Sequence, residues 1–207
     1  MTLCVNPGVD RGARAAKIQD MTAPMDLEGK LLIAMPGMPD PRFRHAVVFL
    51  CSHSETAALG LVVNKPAPGL EFSMILKDMG LRDTPPERDI RVHLGGPVEG
   101  SRGFVLHSPD YGTDDGTIRV GDYGMTGSAD ILDRIASGAG PSRAILALGY
   151  AGWGPGQLDA EIGDNGWLLA DSDPEILFGE ENDGKWHAAL ALIGIDPRHL
   201  SGAAGHA

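Results

Sequence analysis

The chain has 207 residues, of which 43% are hydrophobic and 22% are charged. This balance is typical of a globular domain with a buried core, and it excludes a disordered or fibrous protein. The 17 basic and 28 acidic residues give a formal net charge of −11. Because nucleic-acid binders need a basic surface to release counterions, this charge disfavours direct binding of DNA or RNA.

Cysteine usage and the apolar runs predict the compartment. The two cysteines, Cys4 and Cys51, provide no framework of disulfides, which suits a reducing cytosol. The first residues of the chain lack the apolar stretch of a secretory signal. The longest apolar runs, 31–36 and 46–51, are far too short to span a bilayer. We therefore expect a soluble, cytoplasmic protein that does not associate with a membrane.

The chain divides into two parts by pattern. Residues 1–24 carry no apolar periodicity and are predicted to be a flexible leader, whereas 25–207 are predicted to form one globular domain. Met21 and Met25 stand immediately before the ordered pattern, so a native start at a later methionine is an alternative.

Apolar runs and helical spacing predict the elements. Runs at 30–35, 45–51 and 59–64 are rich in Leu, Ile and Val and indicate buried strands. Apolar residues at helical spacing predict a helix over 72–79 that ends before Gly80. The remaining predicted elements, in chain order, are strands at 90–94 and 104–107, a weak edge strand at 117–120 within a long loop-like stretch at 109–127, a helix beginning near Ser128, a strand at 143–148, a short helix at 156–162, strands at 167–170 and 175–178, and a last helix at 185–193.

Strands occur in runs and also alternate with helices, which argues against a purely parallel sheet. The predicted fold class is α/β with some α+β character: a mixed β-sheet flanked by helices in three layers, together with a smaller α+β portion.

Fingerprints of well-known chemistries are missing from the sequence. It contains no GxGxxG, GxxxxGK[ST] or GxSxG motif and no HExxH or CxxC spacing, so we expect no cofactor and no metal. Cys51 and His53 would share one face of a regular strand, where a thiol and an imidazole form a nucleophilic pair. We favour the simpler interpretation, in which Cys51 is a core residue and His53 belongs to a turn.

The segment 149–162, GYAGWGPGQLDAEI, carries the strongest candidate site. Gln157 and Glu161 are four residues apart on the predicted short helix, so their side chains project together. Trp153 lies between two glycines, which lets the chain place its ring against a pocket or in the core; we favour the core. An anion at this helix N-terminus is a further alternative, which Asp159 in the first turn weakens.

Asn64 and Lys65 follow the buried strand at 59–64, and the ends of strands are where open sheets place their ligands. The simpler interpretation, which we favour, is a turn that contains Asn64 and exposes Lys65.

Taken together, several segments resemble one family. They are Gly29–Ala34 with Pro36 and Met38, then Phe43, His53, GLVVNKP at 60–66, GGP at 95–97, GFVL at 103–106, GYAGWGPGQL at 149–158, Trp167, Phe178, Trp186 and GID at 194–196. This set resembles the YqgE/AlgH family of bacterial proteins over about 29–204. The resemblance implies a compact mixed α/β fold and implies no activity. Some members carry the label of transcriptional regulator, although no recognised DNA-binding motif accompanies it. The chain departs from the family pattern in having Asp159 where Glu is usual and in its leader.

Three functions follow as hypotheses. The first is a non-catalytic regulatory or adaptor protein that binds a protein partner or a small metabolite. The second is an enzyme with a polar pocket, in which His53 or Glu161 would act as the acid or base. The enzyme pocket would consist of His53, Asn64, Lys65, Gln157 and Glu161. The candidate binding pocket consists of His53, Asn64, Lys65, Trp153, Gln157 and Glu161. The third, direct transcriptional control, lacks a helix-turn-helix pattern. We favour the first.

Overall fold

The computed structural model describes residues 27–112 and 116–200. The predicted leader at 1–24 lies outside the described residues. Residues 113–115 of the predicted loop-like stretch at 109–127 also lie outside them.

Within the described residues the chain forms strands and short helices. The strands are β1 (Lys30–Ala34), β2 (Val47–His53), β3 (Ala58–Val62), β4 (Arg91–Leu94), β5 (Val98–His107), β6 (Thr117–Val120), β7 (Tyr123–Thr126), β8 (Ala144–Trp153) and β9 (Trp167–Asp171). The α-helices are α1 (Phe72–Asp78), α2 (Asp130–Ala136), α3 (Gln157–Gly163), α4 (Pro174–Phe178) and α5 (Lys185–Leu192). Single turns of 3-10 helix occupy Pro41–Phe43 and Pro197–His199.

The strands pair in the order β6-β7-β5-β8-β3-β2-β1-β9, and β4 adds to β8 outside this path. The β4–β8 pair is parallel and the other pairs are antiparallel, so the sheet is mixed. The N-terminal half of β8 lies between β4 and β5, and the C-terminal half of β8 pairs with β3. Gly149, at φ +70°, stands where β8 changes neighbours, and a Cβ there would meet the carbonyl oxygen of Gly96 at 2.6 Å. A side chain at this position would therefore disrupt the junction.

Side chains of the central strands alternate between the two faces, as strand geometry requires. On β1, Leu31 and Ile33 belong to a core that includes residues of α4 and α5, whereas Leu32 and Ala34 belong to one that includes Leu158 of α3. A third cluster lies under α1 and α2. The sheet thus carries helices on both faces, and the predicted α/β class with a mixed sheet is confirmed.

Most predicted elements are confirmed, although β5 begins six residues earlier and β8 ends five residues later than predicted, and two predictions are wrong. The strand predicted at 175–178 is α4, because the Asp173 carboxylate accepts hydrogen bonds from the backbone N–H groups of Glu175 and Ile176 and Pro174 suits the first helical turn. The loop-like stretch at 109–127 contains a second strand, β7, whose Gly124 faces the ring of His107. Neither a capping residue nor a strand glycine produces the apolar periodicity on which the predictions relied.

Candidate functional site

The side chain of Gln157, the first residue of α3, binds the backbone just before the helix. Gly156 adopts the left-handed conformation as the N-cap residue, and the Gln157 Oε1 atom accepts a hydrogen bond from the Gly154 backbone N–H at 3.1 Å. The Gln157 amide nitrogen donates in turn to the Glu161 Oε1 atom at 2.8 Å. The predicted projection of Gln157 and Glu161 from one face of the helix is therefore confirmed, and the two side chains contact each other.

The end of α3 reverses the chain through a Schellman motif. The Gly166 N–H donates to the Glu161 carbonyl at 2.7 Å, and the Asn165 N–H donates to the Ile162 carbonyl at 3.0 Å. Asn165 takes the left-handed position at φ +58°, a conformation that Asn tolerates better than most residues. Because the turn is tight, β9 begins at Trp167, directly beside the side chain of Glu161.

One carboxylate holds both indole rings of this region. The Glu161 Oε2 atom accepts hydrogen bonds from Trp153 Nε1 at 2.9 Å and from Trp167 Nε1 at 2.8 Å. Both tryptophans are buried, and a buried indole N–H needs such a partner. The two rings meet edge to face with centroids 5.9 Å apart, and Phe43 packs against both of them. Glu161 therefore fixes the position of an aromatic cluster made of Phe43, Trp153 and Trp167.

A cleft of about 860 Å³ opens beside this aromatic cluster, a volume within the range of small-molecule sites. Apolar side chains and glycines make up much of its lining, together with a few polar side chains. The lining residues are Met35, Gly37, Met38, Pro39, Asp40, Arg42, Phe43, Pro97, Val98, Gly152, Trp153, Gln157, Glu161, Asp164, Asn165, Gly166 and Trp167.

The charged residues of the cleft are unequally engaged. Arg42 forms an ion pair with Asp40, in which the Arg42 Nε and Nη2 atoms donate to both carboxylate oxygens. These hydrogen bonds hold the pKa of Asp40 below its usual value and raise the pKa of Arg42. The Asp164 carboxylate, at the end of α3, is exposed and has no hydrogen bond or ion pair with any described residue.

Three of the six predicted pocket residues line the cleft, namely Trp153, Gln157 and Glu161. Asn64 and Lys65 do not line the cleft. They bind backbone groups of the segment 42–47, whose first two residues belong to the cleft lining. The Asn64 Oδ1 atom accepts from the Val47 N–H at 2.8 Å, and the Asn64 amide donates to the His45 carbonyl at 2.8 Å. The Lys65 ammonium group donates to the Arg42 carbonyl at 2.6 Å, and partial burial lowers the pKa of Lys65.

His53 lies outside the cleft lining, and its imidazole is 3.4 Å from the carboxylate of Asp159 on α3. The alternative contact between Cys51 and His53, which the sequence disfavoured, does not form because the register of β2 shifts between Leu50 and Ser52, which breaks the strand alternation. The favoured assignment of His53 to a turn is wrong, since His53 is the last residue of β2. Cys51 points into the core shared with α4 and α5, whereas His53 faces α3. Cys51 is 2% exposed, so its interpretation as a core residue is confirmed, and this burial raises the pKa of its thiol.

Sequence reasoning missed several residues around the cleft, including Asp40, Arg42 and Asp164. Each is an ordinary polar residue next to a turn, and only the folding of distant segments brings these residues together. Trp167 gave a usable signal, since a large aromatic residue after an Asn-Gly turn needs a partner for its N–H group.

No group of three or more His, Cys, Asp or Glu residues that could hold a metal ion occurs within 27–112 and 116–200. In the same part of the chain, no helix is long and apolar enough to cross a membrane.

Comparisons with known proteins agree on one family. A family model described as AlgH-like matches residues 31–198. A UPF0301 protein of Ruegeria pomeroyi is 59% identical over 185 residues, which cover 88% of this chain and 100% of that protein. A UPF0301 protein of Paracoccus denitrificans is 54% identical over 88% of this chain and 97% of its own length.

Solved structures are similar as well. The solution structure of the AlgH protein from Pseudomonas aeruginosa is 42% identical, with a TM-score of 0.73, over 90% of this chain and 98% of that one. A crystal structure of a Corynebacterium diphtheriae protein has a TM-score of 0.67 over 84% of this chain and 92% of that one. Its identity of 21% shows a shared fold alone.

Proposed function

This chain belongs to the AlgH-like family, and on that premise we propose that it is a non-catalytic regulatory or adaptor protein whose cleft beside the aromatic cluster binds a small metabolite. The cytoplasm is its predicted compartment, because the chain has two cysteines and Cys51 is a free thiol in the core.

One observation carries the proposal: the polar groups that would serve catalysis are occupied by the protein itself. Glu161 uses three of its roughly four acceptor positions on Trp153, Trp167 and Gln157. The amide of Asn64 and the ammonium group of Lys65 bind backbone groups of the neighbouring loop. These contacts favour a preformed binding surface over a set of groups that exchange protons with a substrate.

Ligand-observed NMR with a library of small amines, alcohols and acids tests this proposal. The variant Met38→Trp introduces an indole at the cleft wall, and Met74→Trp introduces the same indole on α1, whose Met74 is half exposed and outside the cleft. We expect compounds that bind the native protein and M74W but not M38W, and each compound should be recovered chemically unchanged.

Three outcomes would contradict the proposal. Failure of every compound to bind, or equal binding by M38W, would remove the cleft as a binding site. Conversion of a bound compound would support the alternative, an enzyme that uses His53, Asn64, Lys65, Gln157 and Glu161.

A further inference from the structure

We propose that the cleft selects organic cations, namely molecules that carry an ammonium or guanidinium group on an apolar body. This inference rests on the proposed function and adds the chemical class of the ligand.

The charges of the cleft are unbalanced in favour of a cation. Its lining contains three carboxylates, those of Asp40, Glu161 and Asp164, and a single guanidinium group, that of Arg42. The Asp40 carboxylate already binds this guanidinium group through both of its oxygens. The uncompensated charge therefore lies on Glu161 and Asp164, at the α3 side of the cleft.

The Asp164 carboxylate is positioned to receive the cation. It makes no hydrogen bond or ion pair within the part of the chain that the structure describes, and it is exposed to the cleft. Asp164 is also the C-cap residue of α3, where the helix dipole adds partial negative charge. A cation placed here would form a charge-assisted hydrogen bond without displacing an existing partner.

The rest of the lining provides a surface for the apolar body of such a ligand. Phe43 and Trp153 present aromatic groups to the cleft, and Met35, Met38 and Val98 add aliphatic and thioether surface. Aromatic faces attract cations as well as apolar groups. The formal net charge of −11 adds long-range attraction for any cation that approaches the molecule.

The test uses three probes with the same phenylbutyl body: phenylbutylamine, phenylbutanol and phenylbutyrate. Binding is followed through the indole N–H resonances of Trp153 and Trp167, which lie at the cleft. We expect the amine to bind about tenfold more tightly than the alcohol or the acid, and its affinity to fall as salt is added.

Asp164→Asn removes the carboxylate charge at an exposed position without breaking a contact, so the variant should fold. Asp83→Asn removes one exposed acid outside the cleft and is the matched control. D164N should lower the affinity for the amine by about three- to tenfold, and D83N should leave it close to that of the native protein.

The outcomes separate this inference from the function it rests on. Equal affinities for the amine and the alcohol, or tighter binding of the acid, would overturn the selection of cations while the cleft stays a binding site. An unchanged amine affinity in D164N would overturn the role of Asp164. Failure of all three probes to bind would count against both proposals.

Discussion

Glu161 is the residue on which the geometry of the cleft depends most directly. Its carboxylate accepts the N–H groups of two buried indoles from different strands, Trp153 at the end of β8 and Trp167 at the start of β9. A buried donor that loses its partner costs more than the hydrogen bond itself contributes, because its desolvation is then uncompensated.

Glu161→Met should therefore destabilise the protein by about 1–3 kcal/mol, because it removes the oxygen that accepts both indole N–H groups while keeping an unbranched side chain of similar size. The measurement is urea unfolding followed by tryptophan fluorescence. Glu180→Met is the control, because the Glu180 side chain is 96% exposed and its substitution should change the free energy of unfolding little. Equal unfolding midpoints for E161M and the native protein would show that the two indoles do not need this acceptor.

His93 is a second residue whose environment has a measurable consequence. It is fully buried on β4, its Nε2 atom lies 3.1 Å from Asn182 Oδ1, and its Nδ1 atom has no hydrogen-bond partner among the described residues. The pKa of His93 is lowered from 6.5 to about 4, mainly by burial and in smaller part by the nearby charges of Lys185 and Arg91.

The sign of the pH effect follows from these values. Between pH 6.5 and pH 4 the unfolded chain binds a proton at His93 that the folded protein does not bind, so the free energy of unfolding falls as the pH falls through this window. His93→Gln should flatten that dependence, and His187→Gln, at an exposed site, should leave it unchanged. Burial also lowers the pKa of His107, so part of the native slope should persist in H93Q. Identical slopes for H93Q and the native protein would contradict this assignment.

At the scale of the element, the turn between β4 and β5 places one wall of the cleft. The turn contains Gly95 and Gly96 and leads into Pro97 and Val98, which line the cleft. A Cβ on Gly96 would lie 2.0 Å from the carbonyl carbon of Tyr150, a distance that no adjustment of a side chain can relieve. The close approach of this turn to β8 thus requires glycine.

Gly96→Ala should destabilise the protein by more than about 3 kcal/mol or prevent folding, because backbone atoms must move apart. Gly100→Ala is the matched control on β5, where a Cβ would have no atom within 4 Å. Thermal unfolding followed by circular dichroism compares the two variants. Similar melting temperatures for G96A and G100A would show that the turn can shift away from β8.

At the scale of the whole molecule, the net charge of the protein argues against direct DNA binding, the role that the label of transcriptional regulator on some family members suggests. The formal net charge of −11 opposes the polyanionic backbone of DNA. The helices of the described residues are short, with α5 the longest at eight residues, and α5 buries Lys185 in the core. A basic recognition helix is therefore not evident in the part of the chain that the structure describes.

We expect no retardation of duplex DNA in a gel-shift experiment at low ionic strength, the condition that favours electrostatic binding most strongly. A basic DNA-binding protein of similar size is the positive control. A retarded band that persists as the salt concentration is raised would contradict this prediction and would reopen direct control of transcription.

Local patterns in the sequence were enough to predict most of the fold. The strands β1, β2 and β3 follow from continuous apolar runs, and α5 follows from the spacing of Trp186, Ala189 and Leu190, because burial on one face leaves a periodic trace. The prediction failed at α4, where the decisive contact is the cap made by Asp173, and at β7, where Gly124 accommodates the ring of His107. Such contacts involve single residues and leave no period.

The candidate site was determined by the sequence in part. The pairing of Gln157 with Glu161 follows from helix geometry alone, and so the sequence by itself determined one wall of the cleft. The tertiary structure decided the rest: Trp167 reaches Glu161 through the turn after α3, the loop that carries Arg42 is held by Asn64 and Lys65, and the bulge in β2 separates His53 from Cys51. The physical reason is that hydrogen bonds and packing act over a few ångströms in space, whereas the residues that make them lie far apart along the chain.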